Sequence, residues 1–122
     1  MFSKPFLLAL PLVLAAPAVK RTEGDVTFYT PGKGACAGTH GVDDMVAAVG
    51  ANLYDTQDVC GKTITLQGNA GTVTLTVVDR CEACKDTDLD VSPAAFEQAI
   101  GPKDIGRGKG TWVFVEAPTL FA

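Results

Sequence analysis

The sequence predicts a mainly β protein: a compact barrel of about six short strands with one or two small helices. Three observations carry that reading. Apolar and polar residues alternate through KTITLQ (62–67) and TVTLTVVD (72–79), on either side of a GNAG turn. β-Branched and aromatic residues fill DVTFYT (25–30) and TWVFVEA (111–117). A helical period appears clearly only once, in DLDVSPAAFEQAIG (88–101).

Taken in chain order, residues 25–30 form the first strand. PGKGACAG (31–38) holds three glycines and a proline and reads as a loop. MVAAVG (45–50) is a continuous apolar run, either a buried strand or a short helix, and ANLYD (51–55) fits one helical turn. In the hairpin, alternation puts Thr63, Thr65, Thr72, Thr74 and Thr76 on one face and Ile64, Leu66, Val73, Leu75 and Val77 on the other. That pattern predicts one solvent face and one core face. Ser92 is a suitable N-cap, Pro93 fits the first helical position and Gly101 is a stop signal. Ala95, Phe96, Ala99 and Ile100 make the helix's apolar stripe. IGRGKG (105–110) reads as a glycine-rich turn before the last strand. No internal repeat, low-complexity tract or interdomain linker interrupts the 122 residues, a length suited to one small domain.

The amino-terminal segment has a different character. Lys4 precedes an apolar run from Pro5 to Leu14, and Ala16-Pro17-Ala18 is a small-x-small cleavage signature. This predicts a secretory signal peptide over 1–18, followed by a short pro-segment at 19–21 ending in the dibasic pair Lys20-Arg21. A single domain over 22–122 remains. Removal of Lys4, Lys20 and Arg21 leaves seven basic residues against fourteen acidic ones, a net charge of −7. Such a surface argues against nucleic acid or anionic lipid as partner. No other segment is long and apolar enough to cross a membrane. The four cysteines, Cys36, Cys60, Cys81 and Cys84, read as a disulfide framework in a secreted domain, with three pairings open.

GDVTFYTPGKGACAG, VCGKTITL, VTLTVVDRCEAC and DLDVSPAAF follow one another in an order that resembles the double-psi β-barrel proteins. These include expansin N-terminal domains, family-45 endoglucanases, barwin and RlpA-like domains, and the resemblance extends to the small fungal single-domain loosenins. It covers nearly all of residues 24–116. It implies a six-stranded double-psi barrel with an open groove, secretion, and a cell-wall polysaccharide as ligand. It also implies the pairing Cys36–Cys60 and Cys81–Cys84. Thr27, Asp79 and Asp90 match groove positions of the family. Two departures stand out. The family's cellulases carry a second aspartate just after the first strand's tyrosine, whereas Tyr29 is followed here by Thr30 and Pro31. Asp88 stands where the family pattern has histidine. The chain ends a few residues past the last expected strand, where two-domain expansins continue into a binding module.

Three chemistries compete for the segment VVDRCEACKDTDLDVSPAAF. An inverting glycosidase needs an acid and a base about 6.5–9.5 Å apart. Asp90 could serve as the acid, and repulsion from Asp79 would raise one of the two pKa values. The usual base position holds Thr30, so binding of sugar hydroxyls by Thr27, Asp79 and Asp90 without cleavage is the preferred reading. A purely structural role, each aspartate bonding backbone or hydroxyl groups, is the plainer alternative. Thiol redox chemistry needs a depressed thiol pKa, but the charges of Glu82 and Lys85 roughly cancel beside Arg80, and no βαβ pattern precedes the motif. Zinc needs further thiols or histidines at ligand spacing, and Cys36, Cys60 and the single His40 do not provide them. No metal and no cofactor are expected. His40 is given no role, Trp112 and Phe114 are expected in the core, and Tyr29 and Tyr54 are candidates for the groove rim. Arg80 is expected to pair with Asp79 or Asp90 or to cap a loop.

The leading expectation is a secreted, monomeric protein that binds and loosens cellulose, chitin or a related glucan without hydrolysis. A protein-binding module is the second. It would be a papain-like cysteine-protease inhibitor or a secreted effector acting on a host protein, presenting TPGKGACAG. A weak glycoside hydrolase or lytic transglycosylase is the third.

Overall fold

The alternating segments close on one another. The computed structural model describes residues 20–115, so the expected signal segment lies outside the described residues. The chain runs β1 (Thr22–Phe28), β2 (Gly32–Lys33), β3 (Thr39–His40), β4 (Val46–Gly50), α1 (Ala51–Thr56), β5 (Thr63–Gln67), β6 (Thr72–Cys81), β7 (Leu89–Val91) and α2 (Pro93–Ala99). A 3-10 turn (Lys103–Ile105) and β8 (Gly108–Val115) complete it. Six strands form a closed barrel in the order β1-β7-β4-β6-β5-β8, and β2 and β3 make a separate small hairpin. Two contacts are parallel, β1 with β7 and β4 with β6, and the others are antiparallel.

The core is the face that alternation predicts. Ile64, Leu66, Leu75 and Val77 are buried, and their threonine neighbours Thr72, Thr74 and Thr76 point to solvent. MVAAVG resolves as a strand because it is central, lying between β6 and β7 and buried at every position from Val46 to Gly50. α2 packs on β6 and β1. It buries Ala95, Phe96 and Ala99, and the Phe96 ring meets Phe28 at 4.9 Å between centroids. Trp112 is buried in the core, with its indole N–H donating to the Thr87 carbonyl at 3.0 Å. Phe114 packs edge-on against it at 5.4 Å.

Two expectations shift at the edges. The expected turn at 105–110 gives its last three residues to β8, where Gly110 faces Gly24 of β1. Here the glycines make room rather than a turn: a Cβ on Gly110 would strike Leu66 and Val26, and one on Gly24 would overlap the Thr87 carbonyl. The loop 31–38 contributes one strand of the β2–β3 hairpin, whose tip carries Ala37 at φ 71° and Gly38 at φ 92°.

The α2 start follows the sequence. The fully buried Ser92 side chain accepts from the Ala95 N–H at 3.3 Å, with Pro93 at the first helical position. Ser92→Ala leaves that N–H unpaired in the interior. It is expected to cost about 1 kcal/mol and lower the melting midpoint by about 4–8 °C. An unchanged thermal melt would show that the cap is dispensable.

Candidate functional site

Strand register builds a row of side chains across one side of the barrel. Thr27 of β1 lies beside Asp90 of β7, Asp90 beside Ala48 of β4, and Ala48 beside Asp79 of β6. Asp90 reaches this outer row because Leu89 and Val91 on either side are in the core. Asp79 reaches it differently. It shares odd parity with the buried Val73, Leu75 and Val77, and uninterrupted alternation would send its carboxylate inward. The register shifts between Ala47 and Ala48, so Ala47 faces Val77 while Ala48 faces Asp79. Val78 is the extra residue of a β-bulge, and the bulge turns Asp79 outward. Ala48, small and buried, separates the two acids.

The two carboxylates are held differently. Asp79 Oδ1 accepts from the N–H groups of Ala35 at 2.9 Å and Arg80 at 2.8 Å, and Oδ2 accepts from the Tyr29 hydroxyl at 3.4 Å. It therefore ties the loop before β3 to the bulge. Asp90 accepts one bond among the described residues, from Thr27 Oγ1 at 2.9 Å. Burial pushes the Asp90 pKa up, with a smaller upward push from the Asp79 charge, against lowering by the Thr27 bond and the Arg107 charge. The Tyr29 hydroxyl is raised by burial first, and then by the two neighbouring carboxylates, so it stays protonated and available as a donor.

The loop over the site is stapled from several directions. The disulfides are Cys36–Cys60 and Cys81–Cys84. Cys36 N–H donates to the Val78 carbonyl at 3.1 Å, and the Tyr54 hydroxyl donates to the Ala35 carbonyl at 3.2 Å. Gly34 permits this approach, since a Cβ there would overlap the Val78 carbonyl. Tyr54 thus braces the loop beside Cys60 and, among the described residues, makes no direct bond to the Thr27–Asp79 row. With every cysteine paired, none is a free thiol, and no group of three or more potential metal ligands converges among the described residues.

Other expectations need correction. Among the described residues the Arg80 guanidinium pairs with neither groove acid: Nε and Nη2 each donate at 3.0 Å to the Asp55 carboxylate of α1, and Nη1 reaches Glu82 at 3.4 Å. The tie holds α1 against the end of β6. Asp88 braces the loop, accepting from the N–H groups of Asp25 and Lys85, each at 3.1 Å. His40 makes a ladder pair with Gly32, and its buried Nδ1 has no hydrogen-bond partner among the described residues. Arg107 was not singled out by sequence. It pairs with Asp25 at 3.0 Å and brings a positive charge to Asp90. Those three residues lie far apart in the chain, and only the β1–β8 and β1–β7 pairings gather them.

Known proteins share this barrel. The chain is 31% identical over 117 residues to an EG45-like domain containing protein of Citrus jambhiri, covering 84% of this chain and 88% of that one. It is 31% identical over 118 residues to the papain inhibitor of Streptomyces mobaraensis, covering 89% and 82%. It is 36% identical over 98 residues to the allergen Asp f 7 of Aspergillus fumigatus, covering 75% of this chain but 36% of the allergen. No family model matches. Among solved structures, a mutant Clavibacter michiganensis expansin in complex with cellohexaose superposes with a TM-score of 0.73 at 30% identity, over 82% of this chain and 52% of the expansin. The Streptomyces papain inhibitor superposes with a TM-score of 0.69 at 29% identity, over 80% and 96%. The chain belongs to the expansin-like double-psi β-barrel family. It spans about a third of the allergen and about half of the bacterial expansin.

Proposed function

We propose that this is a secreted protein that binds cell-wall polysaccharide, cellulose, chitin or a related glucan, along the Thr27–Asp90–Ala48–Asp79 row and loosens it without cleavage. The observation that carries the proposal is the state of Asp90: half-buried, with a raised pKa and one hydroxyl partner, so that acceptor capacity is left for a sugar hydroxyl. Tyr29 adds a donor at one end of the row. Asp79 keeps a structural share of the work through its two backbone bonds. Thr30 stands where the family's cellulases place a second acid, which favours holding the chain over hydrolysing it. The bacterial expansin bound to cellohexaose supports the ligand class. The two disulfides agree with an oxidising, extracellular setting. Cellulose and chitin pull-down, filter-paper weakening and reducing-sugar release test the reading together. Retention and weakening without sugar release are expected, and sugar release by the purified protein would replace it with hydrolysis.

A second reading has its own observation. The tip of the β2–β3 hairpin exposes Ala35, Ala37 and Gly38, while Cys36 between them is fixed by the Cys36–Cys60 disulfide and by its N–H bond to the Val78 carbonyl. A braced loop with exposed small residues suits contact with a protease cleft at little ordering cost, and a papain inhibitor is among the relatives. Papain inhibition in the absence of polysaccharide retention would favour this reading over the first.

A further inference from the structure

Beside the groove lies a second depression of about 450 Å³. Tyr29 is the shared wall: its side chain lines the depression while its hydroxyl reaches Asp79 in the row. Part of the lining is apolar, from Phe28, Val42 and Pro93. Phe28 is fixed from behind by Phe96, and Val42 is 44% exposed, unusual for an apolar side chain on this molecule. The remainder is polar and charged, with Asp43, Glu97 and Lys103 at the surface. None of these three is in an ion pair among the described residues.

That combination is poorly matched to a plain glucan. A β-glucan offers hydroxyls to Asp43 and Glu97 and ring C–H faces to Val42 and Pro93, but no single substituent that meets the apolar wall, a carboxylate and the Lys103 ammonium together. An acetamido substituent carries three matching parts. Its methyl suits the Phe28–Val42–Pro93 wall, its N–H suits a carboxylate, and its carbonyl oxygen suits the Lys103 ammonium. We infer that this depression is an acetamido subsite, which directs the groove toward polymers of N-acetylated amino sugars over unsubstituted glucans. The inference rests on the polysaccharide reading of the groove.

Calorimetric titration of the whole protein with cellohexaose, N-acetylated chitohexaose and fully deacetylated glucosamine hexamer tests it. Wild type is expected to bind chitohexaose about tenfold more tightly than cellohexaose, the scale of one small apolar group in a fitted pocket. Val42→Glu, at an exposed position, is expected to erase the preference and leave cellohexaose binding unchanged. Equal affinities in wild type, or a preference that survives Val42→Glu, overturn the subsite while leaving the groove reading intact. Tighter binding of the deacetylated hexamer also overturns it and reassigns Asp43 and Glu97 to an ammonium group. Failure to bind any of the three removes the groove reading and the subsite together.

Discussion

Asp90→Asn is expected to reduce retention on polysaccharide by about 10- to 100-fold while leaving the protein as stable at neutral pH as wild type, or more so. The binding loss follows from what an amide cannot do. A carboxylate accepts from several hydroxyls, whereas one end of the amide can only donate, and a hydrogen bond to a charged acceptor contributes about 1.5–3 kcal/mol. The stability effect has the opposite sign because burial raises the folded-state pKa above the ordinary aspartate value of 3.8. Above the folded pKa, the buried charge weakens the fold. As pH falls through that pKa the folded state takes up the proton before the unfolded chain does, and stability is gained. The gain is complete below 3.8, where both states are protonated. The advantage of Asp90→Asn should therefore be greatest at neutral pH and vanish in acid. The amide oxygen can still accept from Thr27. Thermal melts from pH 3 to 7, run beside pull-down, separate the readings. A lower midpoint with unchanged retention would make Asp90 structural and end the proposed binding role.

Replacing Cys36 and Cys60 together by serine is expected to cost about 3 kcal/mol, which lowers the melting midpoint by on the order of 10–20 °C. The bond closes a sequence separation of 24, so its loss frees a long loop in the unfolded chain. Replacing Cys81 and Cys84, a separation of 3, is expected to cost less, about 2 kcal/mol in the same loop-entropy picture. The local consequence also differs. Cys36 holds the segment whose Ala35 N–H reaches Asp79 and whose own N–H reaches the Val78 carbonyl. Its release should raise hydrogen exchange at Ala35 and Cys36 specifically and lower any papain inhibition more than polysaccharide retention. Equal midpoints for the two double variants would remove the loop-length argument. Unchanged exchange at Ala35 would show that the hydrogen bonds alone hold the hairpin.

The alternating threonines of 63–76 and the Ser92-Pro93 helix start were legible in the sequence itself, whereas the apolar run at 45–50 fitted strand and helix equally until its place between β6 and β7 decided it. The first two are local signals: side chains alternate on a strand, and a cap satisfies N–H groups within one turn. The cysteine pairing came from resemblance, since four cysteines leave three pairings open to spacing alone. The partner of Arg80 was illegible because Asp55 lies 25 residues away and meets it only once β6 and α1 are packed. Gly108 and Gly110 read as a turn because glycine's local signal is flexibility, whereas Gly110's use here is to clear Leu66 and Val26.

Sequence by itself indicated a barrel of about six strands, the core face of the 62–79 hairpin and the presence of Asp79 and Asp90 on flanking segments. Only the tertiary structure decided that both acids belong to one row. Parity assigns Asp79 to the interior with Val73, Leu75 and Val77, and the bulge at Val78 reverses it. That extra residue is defined by the pairing of β6 with β4, two strands distant in sequence, so no periodicity within β6 could reveal which way its last acid points.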